Sequence, residues 1–196
     1  MKWPRGITII RHAESAYNIL RKKKAEDPRY QEFKKAFEED FQSACTLSLA
    51  HEIRAAYALG VSDYNTPLTE EGYRAAEVMG MCLSQRHVCS DIILHSPYLR
   101  VKQTLEAAGK GWNNLPMHTA VSDDRIREQE HGLALLCNDW RLFHVFHPEQ
   151  KYLWDLLGPY WYQYPQGESV SMVRDRIRSF LDMLIREYAG MEVLLF

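Results

Sequence analysis

The sequence has no run of about 18 apolar residues, the length a helix needs to cross a bilayer, so no membrane span is expected. It has no CxxC pair. Cys45, Cys82, Cys89 and Cys137 stand apart, which argues against a zinc site and for reduced thiols in a cytoplasmic protein. An excess of one charge sign is also lacking: the formal net charge is −2, so nothing draws the chain to nucleic acid or to an anionic membrane surface. Of the eight histidines only His144 and His147 could share a helical face, and no further ligands surround them. No metal and no cofactor is therefore expected. The opening MKWPRGITII is too short and too quickly charged for a signal peptide. No repeat, low-complexity tract or linker divides the chain, and 196 residues suit one domain with a sizeable core, 1–196.

What is present centres on Ile7 to Asn18, ITIIRHAESAYN. The apolar run from Ile7 to Ile10 reads as a short buried strand. It ends on Arg11 and His12, two groups that are costly to bury without a purpose. Chemistry often sits where a strand gives way to a loop at the carboxyl edge of a sheet. Arg11 offers a rigid fork of donors suited to phosphate. His12 offers a neutral nitrogen near pH 7, usable as nucleophile, base or ligand. Taken alone, such a pair is more often the capped edge of a strand with no catalytic role.

A second such place follows. Asp91 to Leu94 reads as a buried strand leading into His95-Ser96-Pro97-Tyr98-Leu99-Arg100. Ser96 is a good N-cap and Pro97 fits the first helical position, so the helix start would point free N–H groups at the sheet edge. Arg100 lies one turn in and could reach the same anion. Met117 to Val121 reads as a third strand, followed by DDRIREQEHG (123–132), and Glu192 to Phe196 as a fourth. Thr69 caps a helix running to Gln85, and Val170 to Tyr188 shows one strongly apolar stripe that includes Val170 and Leu181. Strands alternating with helices argue an α/β fold: a mostly parallel sheet covered by helices on both faces, in three layers.

Between these parts lies a helical insertion, 19–64. Tyr30, Phe33, Phe37 and Phe41 recur at helical spacing, a second amphipathic piece runs from Leu47 to Leu59, and Arg21–Lys24 forms a basic run. Four adjacent charges read as a solvated face; a lid whose basic run meets an anionic substrate is the sharper alternative. Leu133 to Tyr164, rich in Trp, Phe and Tyr, reads as a helical excursion of core or dimer-contact residues, and a homodimer is left open.

The segment RHAESAYN resembles the signature of the histidine phosphatase superfamily, whose phosphoglycerate mutase-like members carry RHGE; here Ala13 stands in place of the glycine. NTPLTEEG, SPYLRVKQT, REQEHG and PQGES resemble further elements of that family. The resemblance implies a phosphoglycerate mutase-like fold and a metal-independent phosphomonoester hydrolase. His12 would attack phosphorus and become phosphohistidine. Arg11 and Arg100 would clamp the phosphoryl oxygens, with Asn18 and Ser96 also at the phosphate. Glu128 would act as general acid and base, with Glu130 close enough in sequence to be confused with it. Glu168 is expected to hold a loop, and His131 to pack or line a pocket. The substrate class implied is a phosphorylated small molecule or a phosphoprotein.

The resemblance also implies a second catalytic histidine directly after the fourth strand. The sequence stops at Phe196, ahead of that residue, so a truncated chain with impaired turnover is expected. A phosphate-binding regulatory pseudoenzyme is the alternative from another class, and a phosphoglycerate mutase a weaker one.

Overall fold

The computed structural model describes residues 2–86, 88 and 90–196. Cys89, one of the four separated thiols, lies outside the described residues. In chain order the elements are β1 (Gly6–Ile9), α1 (Ala16–Glu26), α2 (Pro28–Asp40), α3 (Ala44–Ala56), α4 (Glu70–Gln85), β2 (Ile92–His95), α5 (Leu99–Gly111), β3 (Ala120–Ser122), α6 (Trp140–Phe146), α7 (Pro148–Trp161), α8 (Val170–Glu187) and β4 (Glu192–Leu195), with short 3-10 turns between some of them. They fall into two compact units. Met1–Ala16, Val61–Glu128 and Asp175–Phe196 form a sheet-bearing unit; Tyr17–Gly60 and Gln129–Arg174 form a helical one. No helix among the described residues is long and apolar enough to cross a membrane.

The sheet-bearing unit is built on four parallel strands in the order β1-β4-β2-β3. Parallel neighbours require helical crossovers, which is why helices separate every strand from the next in sequence. The two-residue period of a strand then sorts side chains by face. Ile93, Leu194 and Phe196 pack with Val101, Leu105 and Ala108 of α5 on one side. Leu94 and Val193 pack with Phe180, Met183 and Leu184 of α8 on the other. Helices thus cover both faces, as the alternating pattern predicts. Gly80 of α4 is required by how closely α4 approaches α5: a Cβ there would collide with the carbonyl of Ala108.

Four local expectations need correction. β1 is an edge strand and only half buried: Ile10 is enclosed, whereas Ile9 is 77% exposed. The α8 cluster covers β2 and β4 and includes no residue of β1, so one face of that strand stays open. The third strand begins at Ala120, because Met117–Thr119 close into a 3-10 turn. In α8 the inward stripe is Phe180, Met183 and Leu184, at i, i+3 and i+4, while Val170 and Leu181 are exposed. Helix α3 starts earlier than Leu47 because Ser43 caps it, its hydroxyl accepting the Thr46 N–H at 3.1 Å.

In the helical unit, Phe33 and Phe37 of α2 pack with Ile53 of α3 and with Leu142 and Phe143 of α6. The basic run does not behave as one solvated face. Arg21, Lys22 and Lys23 are exposed, but Lys24 is buried. One residue further round α1 turns the side chain by about 100°, and this brings its ammonium to Asp139 at 2.9 Å and to the carbonyl of Asn138 at 2.7 Å. The Tyr30 hydroxyl donates to the same Asp139 carboxylate. Burial alone would raise the Asp139 pKa, but Lys24 and Tyr30 outweigh it and hold the carboxyl below its ordinary value.

His144 of α6 is fully buried, and neither ring nitrogen has a hydrogen-bond partner among the described residues. Trp140, Trp154 and Tyr162 surround it, with Lys151 and Asp155 the charges that act on it. Burial, reinforced by Lys151, pushes its pKa from 6.5 down to about 4. As pH falls the unfolded chain therefore takes up this proton before the folded one does. The stability that the neutral ring provides is complete above about 6.5 and is lost progressively toward 4. The loss expected over that window is about 3 kcal/mol. Denaturant unfolding of the protein and of His144→Phe between pH 7.5 and 4 checks it: the variant should lack this slope, and identical slopes would refute it.

Candidate active site

Three strand ends deliver the predicted residues to one edge of the sheet. Beyond β1 the Ile10 N–H still bonds the Leu195 carbonyl at 2.8 Å, and Arg11 and His12 follow. Beyond β2 the Ser96 N–H bonds the Phe196 carbonyl at 3.0 Å, and the chain then turns into α5 and Arg100. Beyond β3 the Asp123 N–H bonds the His95 carbonyl at 2.9 Å, and the loop runs on to Glu128. All of these lie in the sheet-bearing unit.

The loop carrying Arg11 and His12 is tied down on two sides. The Ala13 N–H donates to Thr104 Oγ1 at 3.0 Å, and that hydroxyl donates to the Arg100 carbonyl at 2.7 Å. The Glu14 carbonyl accepts the Thr69 N–H at 3.0 Å. Thr69 caps α4 as predicted, its hydroxyl accepting the Gly72 N–H at 2.9 Å. Gly72 also explains why the LTEEG segment ends on glycine, since a Cβ there would strike the backbone of Glu14.

His12 Nδ1 lies 2.7 Å from the Ala13 carbonyl. A carbonyl can only accept, so Nδ1 carries the proton and Nε2 is left with its lone pair. Burial lowers the His12 pKa below 6.5; Arg100 and Arg11 push the same way, while the Ala13 carbonyl and Glu128 push back. The ring is therefore neutral at pH 7. Arg11 is exposed and has no hydrogen bond or ion pair among the described residues.

Arg100 is only 4% exposed, and its guanidinium is fully engaged at both ends. Nη1 donates to the Asp63 carbonyl at 2.8 Å and to Asp63 Oδ1 at 3.0 Å. Nη2 donates to Glu128 Oε2 at 2.8 Å and lies 3.4 Å from Asp63 Oδ2. The guanidinium carbon sits 4.5 Å from the centre of the Tyr98 ring. Glu128 is thus the carboxylate on Arg100. Glu130 falls in the helical unit, where its N–H donates to Glu168 Oε2 at 3.1 Å, so Glu168 holds a loop as expected. The His131 ring packs against Tyr164 in the same unit, tilted by 59°.

Two placements differ from expectation. Ser96 is not the N-cap of α5. It continues the strand through its bond to Phe196, two more residues are needed to turn the chain, and the helix starts at Leu99 with Tyr98 at the cap. Its hydroxyl is buried with no partner among the described residues. Asn18 lies in α1, within the helical unit.

Two residues escaped the sequence reading. Asp63 stands at the end of the stretch read as insertion, four residues ahead of Pro67, and belongs with the sheet-bearing unit. Arg176 of α8 donates to the Arg125 carbonyl at 2.6 Å and to the Glu128 carbonyl at 3.2 Å, bracing the loop that presents Glu128. Only Asp63 carried a signal, as an acidic residue just before the NTPLTEEG segment.

A sequence profile of the histidine phosphatase superfamily, branch 1, matches residues 58–196. The chain belongs to the histidine phosphatase superfamily. It is 30% identical over 142 residues to phosphoglycerate mutase-like protein AT74H of Arabidopsis thaliana, covering 67% of this chain and 48% of that protein. It is 32% identical over 92 residues to protein AT74 of the same plant, covering 47% of this chain and 27% of that one. This superfamily member thus spans half or less of those relatives' length. Solved structures share its fold. The α-ribazole phosphatase of Shigella flexneri aligns over 96% of this chain and 71% of its own, with a TM-score of 0.61 at 17% identity. The mycobacterial glucosyl-3-phosphoglycerate phosphatase aligns over 95% and 70%, with a TM-score of 0.53 at 18% identity. The phosphoglycerate mutase-like α/β architecture read from the sequence is the architecture of this family member.

Proposed function

We propose that the chain is a phosphomonoester hydrolase that works through a phosphohistidine. The observation that carries this reading is the neutral His12, its Nε2 lone pair available, in the field of Arg11, Arg100 and Glu128. A phosphate monoester would place its oxygens on Arg11 and Arg100. In-line attack by Nε2 forms the N–P bond and breaks the bond to the leaving oxygen, which takes a proton from Glu128. Water then attacks phosphorus, returns its proton to Glu128 and restores neutral His12. Ser96, at the end of β2 in the same unit, is proposed as an accessory phosphate ligand. The substrate class is a phosphorylated small molecule or a phosphoprotein.

The test is to incubate the protein with an aryl phosphate and chelator, quench in alkali, and examine the peptide containing His12 by mass spectrometry. An alkali-stable, acid-labile phosphoryl group on His12, together with released phosphate, is expected. Phosphate binding with no label and no release would instead mark a phosphate-binding protein. Return of the phosphoryl group to 3-phosphoglycerate in place of water would mark a mutase.

A further inference from the structure

The carboxylate of Asp63 is committed to one task. The 3-10 turn around it, Asp63–Asn65, closes through backbone bonds: the Asn65 N–H to the Ser62 carbonyl at 3.0 Å and the Thr66 N–H to the Asp63 carbonyl at 3.2 Å. Thr66, fully buried, adds a hydroxyl bond to the Ser62 carbonyl at 3.2 Å. The turn is therefore held without the Asp63 side chain, whose oxygens meet only Arg100 among the described residues. Together the Asp63 carbonyl and carboxylate take the Nη1 end of the guanidinium and one edge of Nη2. The Tyr98 ring fixes its plane. Of the four N–H directions on Nη1 and Nη2 this leaves one, at Nη2, and Glu128 accepts from it.

We propose that Asp63 is a positioning residue for the phosphate clamp: it fixes Arg100 so that Glu128 can hold only the one arm an incoming phosphoryl oxygen will take. The inference rests on the phosphate-site reading above and deepens it. Without Asp63, Glu128 could take both arms of the guanidinium as a bidentate pair. A ligand would then have to break two charge-assisted bonds instead of one, and would meet an arginine no longer aimed at it. The opposite expectation is also physical. If Asp63 acted merely as a negative charge near the site, its removal would strengthen anion binding. The two roles thus predict opposite signs.

The experiment is calorimetric titration of the protein with inorganic phosphate, for the unsubstituted chain, Asp63→Ala, Asp63→Asn, Arg100→Ala and the Asp63→Ala/Arg100→Ala pair. Asp63→Ala is expected to weaken phosphate binding about 10-fold. Asp63→Asn keeps one acceptor for Nη1 and should lie between. In the Arg100→Ala background the loss of Asp63 should change affinity no further, because its effect passes through Arg100. Unchanged or tighter binding in Asp63→Ala, or an equal loss with Arg100 absent, would overturn the proposal while leaving the phosphate site intact. No phosphate binding by the unsubstituted chain would overturn both readings. Should Asp63→Ala not fold, Asp63→Asn gives the same sign test.

Discussion

Replacing His12 by alanine is expected to lower aryl phosphate turnover roughly 10⁴-fold, about 5.5 kcal/mol of barrier. On the proposed route His12 is the nucleophile, and its removal leaves the attack step without one. His12 is the imidazole whose charge state responds to Arg11, Arg100 and Glu128. An aryl phosphate has a good leaving group, so the assay tolerates a weak proton donor and isolates the attack step. Phosphate affinity should change only a few-fold, because Arg11 and Arg100, the proposed clamp, both remain. Steady-state rates in chelator, with calorimetric phosphate titration beside them, separate the two effects. Retained turnover in His12→Ala would remove the phosphohistidine route. The pH profile gives a second check. Because burial lowers the His12 pKa, the neutral nucleophile persists to lower pH than an exposed histidine would allow. The acid limb of kcat/KM that reports this residue should therefore fall below 6.5.

Arg100→Ala is expected to destabilise the protein by about 3 kcal/mol and to weaken phosphate binding about 100-fold. The stability loss follows from what is left behind. Glu128, with a side chain 64% exposed, can turn into water when its partner goes. Asp63, with a side chain 17% exposed, cannot do so as readily and keeps a half-buried carboxylate and a carbonyl without their donor. Lysine should not restore the site, since an ammonium cannot serve Asp63 and Glu128 in one plane. Urea unfolding measures the first loss and phosphate titration the second. A stable Arg100→Ala that still binds phosphate normally would show that the ion-pair network is not the clamp.

Much of this arrangement is local and was readable from residues alone. The four strands stand out as apolar runs, Thr69 as a cap and Phe33 and Phe37 as one stripe, because each reflects a period or a capping bond a few residues long. Arg11, His12, Arg100 and Glu128 stand out in the sequence as candidates. Each follows one of three strands that the parallel sheet brings side by side, so their order along the chain was enough to bring them to one edge.

What the sequence could not supply were pairings between distant groups. Asp63 meets Arg100 across 37 positions and Lys24 meets Asp139 across 115, and neither pairing has a period or spacing to betray it. The same holds for the open face of β1, the displaced start of α5 and the His144 ring nitrogens, which find no hydrogen-bond partner among the described residues. The sequence by itself determined the family, the strand and helix content and the chemical types available at the sheet edge. Only the tertiary structure decided which carboxylates hold Arg100 and which lysine of a basic run is buried. The physical reason is that helix and strand periods act between near neighbours in the chain, whereas charge pairing and desolvation depend on distance in space alone.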